Sequence, residues 1–159
     1  MQISMQYENN EEDARAAVNK GFLKILDNLS SYSYKQSFGG WIRRIMVNTL
    51  IDEFRAKKRR QEHFISVDFS DVWETTLHYY DHIDDSLSAE EIRDMLMSIP
   101  EKYRVVFNLY ELEGYTHKEI AAMIDISERS SKRFLNKSKT LLQSELEKMD
   151  HFELLVDAV

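Results

Sequence analysis

The sequence predicts an all-α protein: two small helical domains joined by an acidic linker, the C-terminal domain carrying a helix-turn-helix. Three observations predict it. The 159 residues include only four glycines and one proline, with few β-branched runs, so little in the chain favours strands. Apolar side chains recur three and four positions apart over several long stretches, the period of an amphipathic helix. The second half carries helix start and stop signals, a proline, a Gly-Tyr-Thr corner and an Asp-Ile-Ser corner. The expected division is 1–62 for the first domain, 63–90 for the linker, 91–145 for the helix-turn-helix domain and 146–159 for a tail.

The first long helix is expected from about Glu11 to Leu29, with Val18, Phe22, Ile25 and Leu29 inward and Glu11, Glu12 and Asp13 at its positive end. "SSYSYKQSFGG" breaks the pattern, and a second helix runs from Trp41 to about Arg59 through Ile42, Ile45, Met46, Leu50 and Phe54. The stretch from His63 onward has no sustained period and is strongly acidic, which reads as a linker. A lead-in helix is expected at Ser86 to Met97. Pro100 then opens a helix whose Tyr103, Val106, Phe107 and Tyr110 share a face, and Gly114 ends it in a left-handed cap. Thr116 and Glu119 form a capping box for the next helix, with Ile120, Met123 and Ile124 inward. Asp125 takes the corner, where a left-handed conformation is tolerable, and Ser127 caps the last helix.

Composition excludes several classes of function. Without cysteine there is no disulfide framework, thiolate nucleophile or thiolate metal site. No Gly-rich phosphate loop and no Ser-His-Asp arrangement is visible, so neither an enzyme nor a cofactor is expected. No leader-like N-terminal pattern and no membrane-length apolar run occurs, so the expected setting is the cytoplasm, without membrane insertion. The net charge of −7 hides a strong segregation. Residues 41–62 hold seven lysines and arginines against three acids, 63–97 one against nine, and 127–142 five against one. Because exposed charges are screened beyond roughly 10 Å at physiological salt, a polyanion meets the local block rather than the total.

On a helical wheel the last helix places Ser131, Leu135, Ser138 and Leu142 within about 60° of one another, and Arg129, Arg133, Asn136 and Thr140 opposite, flanked by Lys132 and Lys137. An outer face of this kind suits the DNA major groove, where Arg forks onto guanine, Asn onto adenine, and Lys neutralises phosphate. The structural alternative is a solvated basic face on a bundle. In the first domain, Arg44, Asn48, Arg55 and Lys58 line one helical face beside a loop containing Tyr32, Tyr34, Phe38 and Trp41. Aromatics interleaved with cations suit unstacked single-stranded bases. Trp41 and Phe38 are expected to anchor the loop in the core, leaving Tyr32 and Tyr34 for bases, and the run Lys57 to Arg60 favours phosphate contact.

These residues carry a resemblance. "IPEKYRVVFNLYELEGYTHKEIAAMIDISERSSKRFLNKSKTLLQ" resembles region four of bacterial extracytoplasmic-function sigma factors, and "FGGWIRRIMVNTLIDEFRAKKRR" resembles region two through Phe38, Trp41, Asn48, Asp52 and Arg55. "NNEEDARAAVNKGFLKILDNL" is similar to the family's polymerase-binding helix. The resemblance runs in family order from Met5 to Gln143. It implies a transcription initiation subunit whose partners are core RNA polymerase (the β′ clamp helices and the β flap), promoter DNA and an anti-sigma factor.

By that resemblance Arg129, Lys132, Arg133, Asn136 and Lys137 read the minus thirty-five element as duplex. Tyr32, Tyr34, Arg44, Asn48, Arg55 and Lys58 capture the minus ten element, and Arg15, Asn19, Lys20 and Lys24 face the clamp helices. The family's first helix is longer than "MQISMQY", so apolar surface on 18–29 and 42–54 is expected to be exposed. Ser131 and Ser138 stand where the family prefers Val and Ala, Phe134 stands where a polar residue is usual, and Lys137 and Lys139 replace common arginines.

Two further readings concern the linker. An acidic strand there imitates nucleic acid inside the polymerase channels, as the family implies; alternatively His78 and His82, four apart with Asp81, Asp84 and Asp85 nearby, have a metal-binding spacing if helical. A competing function for the whole chain is a dimeric regulator that binds duplex operators without joining polymerase, with "FELLVDAV" as the dimer patch.

Overall fold

The computed structural model describes residues 2–62 and 88–156; the acidic stretch, with the histidine pair and the proposed channel strand, lies outside them. The described residues are mostly helical with no strand among them, and they belong to two compact units.

In the N-terminal unit α1 spans Gln2–Tyr7, α2 Glu11–Asp27 and α3 Phe38–Glu62, with a 3₁₀ turn at Leu29–Ser31. Asn10 caps α2 by accepting the Asp13 N–H at 2.8 Å, and the three acids that follow complement the helix dipole. Asn28 closes α2, its backbone and side-chain N–H groups both reaching the Lys24 carbonyl. α3 begins three residues before Trp41 because Ser37 acts as its cap: the hydroxyl oxygen accepts the Gly40 N–H at 3.1 Å and the carbonyl accepts that of Trp41 at 3.0 Å.

The face that α2 buries differs from the expected one. Ala14, Ala17, Gly21 and Ile25 are buried, while Phe22 and Leu29 are exposed. The small residues let α2 approach α3 closely; a methyl group built on Gly21 would lie 2.2 Å from the Met46 sulfur. The larger side chains on the adjoining flank therefore stay outside. Ile25, Trp41 and Met46 form a core cluster with Val18, Tyr32, Ile42 and Ile45 against it. Val47, Leu50 and Ile51 of α3 are buried, as are Ser4 and Tyr7 of α1.

In the C-terminal unit α4 spans Ala89–Ser98, α5 Glu101–Phe107, α6 His117–Ile124 and α7 Glu128–Val156. Ser88 and Glu91 make a capping box, with N–H···O distances of 2.7 and 3.2 Å, so α4 opens inside the stretch assigned to the linker. Arg104 is almost fully buried, and it donates to the carbonyls of Ile99 at 3.1 Å and Met97 at 3.3 Å, satisfying the end of α4. After Phe107 the chain widens into a π turn at Asn108–Leu112, closed by the Glu113 N–H on the Asn108 carbonyl at 3.0 Å. The extra residue in that turn rotates Tyr110 out of the face it shares with Tyr103 and Val106 on a regular helix, and Tyr110 is exposed.

The corner follows the sequence reading. Gly114 has φ +74° and Asp125 φ +55°; Thr116 and Glu119 exchange their capping bonds at 2.8 and 3.3 Å; Ser127 accepts the Ser130 N–H at 3.0 Å. Because an L residue in the left-handed region is strained by about 1 kcal/mol, Asp125→Gly should be more stable than Asp125→Ala by about that amount in urea unfolding. Equal midpoints for the two would refute a strained corner. α7 continues to Val156 through the point where a tail was expected, since no glycine or proline interrupts it. Its Ser131, Leu135, Ser138 and Leu142 are buried, in the same unit as buried Val105, Val106, Leu109 and Ile120. The Ser138 hydroxyl donates to the Leu135 carbonyl at 2.7 Å, which satisfies a polar group inside the seam.

Candidate nucleic-acid interface

α7 turns its polar face outward opposite the serine and leucine seam. Arg129, Lys132, Arg133 and Asn136 are exposed and Lys137 is half-buried. From Arg129 to Lys137 the helix rises about 12 Å, enough to pass three or four base steps in a groove. The cations differ in how they are held. Lys132 pairs with Glu128 at 3.0 Å; hydrogen bonding and charge from that lysine keep the Glu128 carboxyl below its ordinary range. Lys139 is tied to Glu111 of the π turn at 2.8 Å, which removes it from the outer face. The Arg133 guanidinium sits 5.7 Å from the centre of the Phe134 ring.

Beside this face, at the start of α6, His117 stacks on Tyr110 with ring centres 4.4 Å apart, and its Nδ1 lies 3.0 Å from the Ser131 hydroxyl. Burial pushes the imidazole below its ordinary value of 6.5, Lys132 pushes the same way, and Glu128 opposes. The ring is therefore neutral at neutral pH and joins α6 to α7. In the sequence His117 carries no signal of this contact, and Phe134 stands out only as an apolar residue at a position where the resembled family has a polar one.

In the N-terminal unit the aromatic loop is one connected cluster. Tyr32 packs edge-on against Tyr34 at 5.4 Å and Phe38 at 5.2 Å, and tilted against Trp41 at 5.4 Å. Phe38 and Trp41 stack at 5.8 Å. Trp41 is buried and anchors the loop, as expected, whereas Phe38 is 46% exposed and Tyr34 95%. The Tyr32 hydroxyl donates to the Gln36 carbonyl at 2.8 Å, and its ring packs on the core cluster. The freely accessible rings are thus Tyr34 and Phe38, with Tyr32 between them and the core. Arg44 and Asn48 are exposed one and two turns farther along α3. Arg55 and Lys58 are half-buried, and buried Ile51 interrupts the stripe between the two pairs.

The four polar residues named on α2 fall on two flanks. Lys20 binds Glu53 at 2.7 Å and Lys24 binds Asp52 at 2.9 Å, both on α3. Arg15 and Asn19 lie on the other flank, in a sector of about 100° shared with exposed Phe22, Leu23 and Leu26. Lys57, in the basic run, is not directed at solvent: it bonds to the Glu8 carboxylate and to Asp13 at 3.2 Å, with the Glu8 side chain only 4% exposed.

Among the described residues no helix is long and apolar enough to cross a membrane, and no group of three metal-ligating side chains gathers. Two family models match the chain: "Sigma-70 region 2" at residues 1–60 and "Sigma-70, region 4" at residues 89–142, together more than two thirds of its length. The chain is 29% identical over 136 residues to the RNA polymerase sigma factor SigZ of Bacillus subtilis, covering 83% of this chain and 72% of that one. It is 21% identical over 155 residues to the ECF RNA polymerase sigma factor SigW of the same organism, covering 91% and 81%. Among solved structures, the sigma factor RpoE of Bartonella quintana, crystallised with the anti-sigma factor NepR, shares the fold with a TM-score of 0.55 at 15% identity, over 91% of this chain and 87% of that one.

Proposed function

The chain belongs to the sigma-70 family as an extracytoplasmic-function sigma factor, a subunit that directs transcription initiation by RNA polymerase, and we propose how its residues divide that work. The C-terminal unit reads the minus thirty-five element as duplex through Arg129, Arg133 and Asn136, with Lys132 and Lys137 on phosphates. The observation that carries this is the outward stripe of α7, opposite a seam in which Ser131, Leu135, Ser138 and Leu142 are all buried. A helix face so placed enters a major groove without disturbing its own core.

The N-terminal unit captures the opened minus ten strand on Tyr34 and Phe38, with Arg44 and Asn48 beside them; Arg55 and Lys58 are farther along the same helix. The flank of α2 holding Arg15, Asn19, Phe22, Leu23 and Leu26 docks on the polymerase clamp, and an anti-sigma factor acts by covering surfaces of this kind. Lys20 and Lys24 support that dock indirectly, by fixing α2 on α3. The chain adds binding and positioning and leaves catalysis to the polymerase, in the cytoplasm. A regulator acting without polymerase is not favoured, because two sigma regions occur in family order.

The test is reconstitution: the chain with core polymerase should yield run-off transcripts from genomic fragments that core alone does not transcribe. Failure to bind core, where a control initiation factor binds, would refute it. Tyr34→Ala should leave stability and closed-complex binding unchanged and reduce promoter opening by the equivalent of about 1 to 3 kcal/mol, read by permanganate footprinting. Tyr32→Ala should also loosen the loop, since Tyr32 is packed. Normal melting by Tyr34→Ala would remove that ring from the strand path.

A further inference from the structure

Phe134 lies on α7 between the buried seam and the exposed stripe and is itself 9% exposed. The Tyr103 ring of α5 meets it edge-on at 5.4 Å. Two cations approach the same pair of rings. The Arg133 guanidinium is 5.7 Å from the Phe134 centre, and the ammonium of exposed Lys102 is 4.8 Å from the Tyr103 centre and 5.8 Å from that of Phe134. Arg133 and Lys102 are the chain neighbours of Phe134 and Tyr103, and Lys102 also reaches across from α5 to the Phe134 ring of α7, so both cations rest within range of one aromatic pair. The negative faces of the paired rings attract them.

We propose that Phe134 is a positioning residue for promoter reading: its ring orients the Arg133 guanidinium for a base edge and draws Lys102 alongside, so that the DNA-contacting surface extends from α7 onto the start of α5. The inference rests on α7 being the duplex-reading helix. An arginine must give up side-chain freedom to fork onto a base, and a guanidinium already resting on a ring gives up less. Lys102, a compact charge without fork geometry, serves a phosphate and carries no sequence preference.

The experiment uses the full chain bound to core polymerase and a pool of promoter fragments randomised in the upstream duplex. The wild type should enrich a motif. Phe134→Leu, which keeps an apolar group and loses the ring, should weaken the preference at one base pair by about two- to fivefold. Phe134→Tyr should keep it. Arg133→Ala should lose the preference at that same pair, and the Arg133→Ala/Phe134→Leu double variant should be no broader than Arg133→Ala alone.

Lys102→Gln should leave the motif intact and lower the slope of log affinity against log salt by about one contact. Circular dichroism confirms folding; should Phe134→Leu lose helix, Phe134→Met takes its place with the same readout. An unchanged motif, or a loss spread evenly over all positions, overturns the positioning role, and an unchanged salt slope in Lys102→Gln overturns the extended surface. A wild type that enriches no upstream motif would instead sink the reading of α7 itself.

Discussion

Replacing Lys57 by Met should lower the stability of the N-terminal unit by about 2 kcal/mol, less than for a fully buried ion pair because Lys57 itself keeps contact with solvent. The cost arises at Glu8, whose side chain is 4% exposed and bonds to the Lys57 ammonium. Without that partner a carboxylate is left in poor contact with water. Asp13, bonded to the same ammonium at 3.2 Å, is far more exposed and adds less. The domain holds Trp41, and the only other tryptophan is Trp73. In a Trp73→Phe background, urea unfolding followed by Trp41 fluorescence reports this unit alone. A lower midpoint at unchanged slope is the expected result, and removing Glu8 as well (Glu8→Leu/Lys57→Met) should restore much of the loss. An unshifted midpoint for Lys57→Met would mean that the triad contributes nothing.

The triad also sets a pH dependence. The hydrogen bond and charge from Lys57 hold the Asp13 carboxyl below its ordinary value of 3.8. Its stabilisation is therefore present above that value and is lost as pH falls through the lowered one. Lys57→Met should lose less stability than the wild type over that acid limb. At the other end, burial pushes the Lys57 ammonium down, but the bonds and charges of Glu8 and then Asp13 outweigh it and raise the ammonium above 10.5. That contribution is complete below 10.5 and is lost as pH rises through the raised value.

Arg133→Ala should weaken binding to the specific upstream duplex by about 1 to 3 kcal/mol more than binding to random duplex, if the guanidinium reads a base. Competition binding of the complex with core polymerase, at several salt concentrations, separates the two roles. A base contact changes the specificity ratio and leaves the salt slope nearly unaltered, whereas a phosphate contact lowers affinity for both duplexes equally and reduces the slope by about one. Equal losses would demote Arg133 to a phosphate contact. The same comparison on Lys132→Ala should follow the phosphate pattern, because Lys132 is already shared with Glu128 at 3.0 Å.

Features that need only a few adjacent residues were legible in the sequence. The Thr116–Glu119 box, the left-handed Gly114 and Asp125, the Ser127 cap and the inner face of α7 are each set by neighbours within one or two helical turns. The Ser37 cap belongs to this class too: the serine stands in "QSFGG" one position before the helix, although the apolar period itself starts only at Trp41. The site was less legible. Lys20, Lys24 and Lys57 look like ordinary surface cations along the chain, and each is engaged by an acid 28 to 49 positions away. A wheel gives direction about one axis and says nothing of what the side chain meets there.

The sequence by itself determined the helices, the corner and the side of α7 that faces out, because capping and periodicity are local and act before any tertiary contact. Only the tertiary structure decided which flank of α2 is buried, which lysines are spent on internal pairs, that Phe38 stays accessible and that Lys102 of α5 reaches the Phe134 ring. Those outcomes depend on how closely two helices approach, and the approach is set by pairs such as Gly21 and Met46 that lie far apart in the chain. Long charged side chains then settle on whatever the crossing brings within reach, a choice no local pattern encodes.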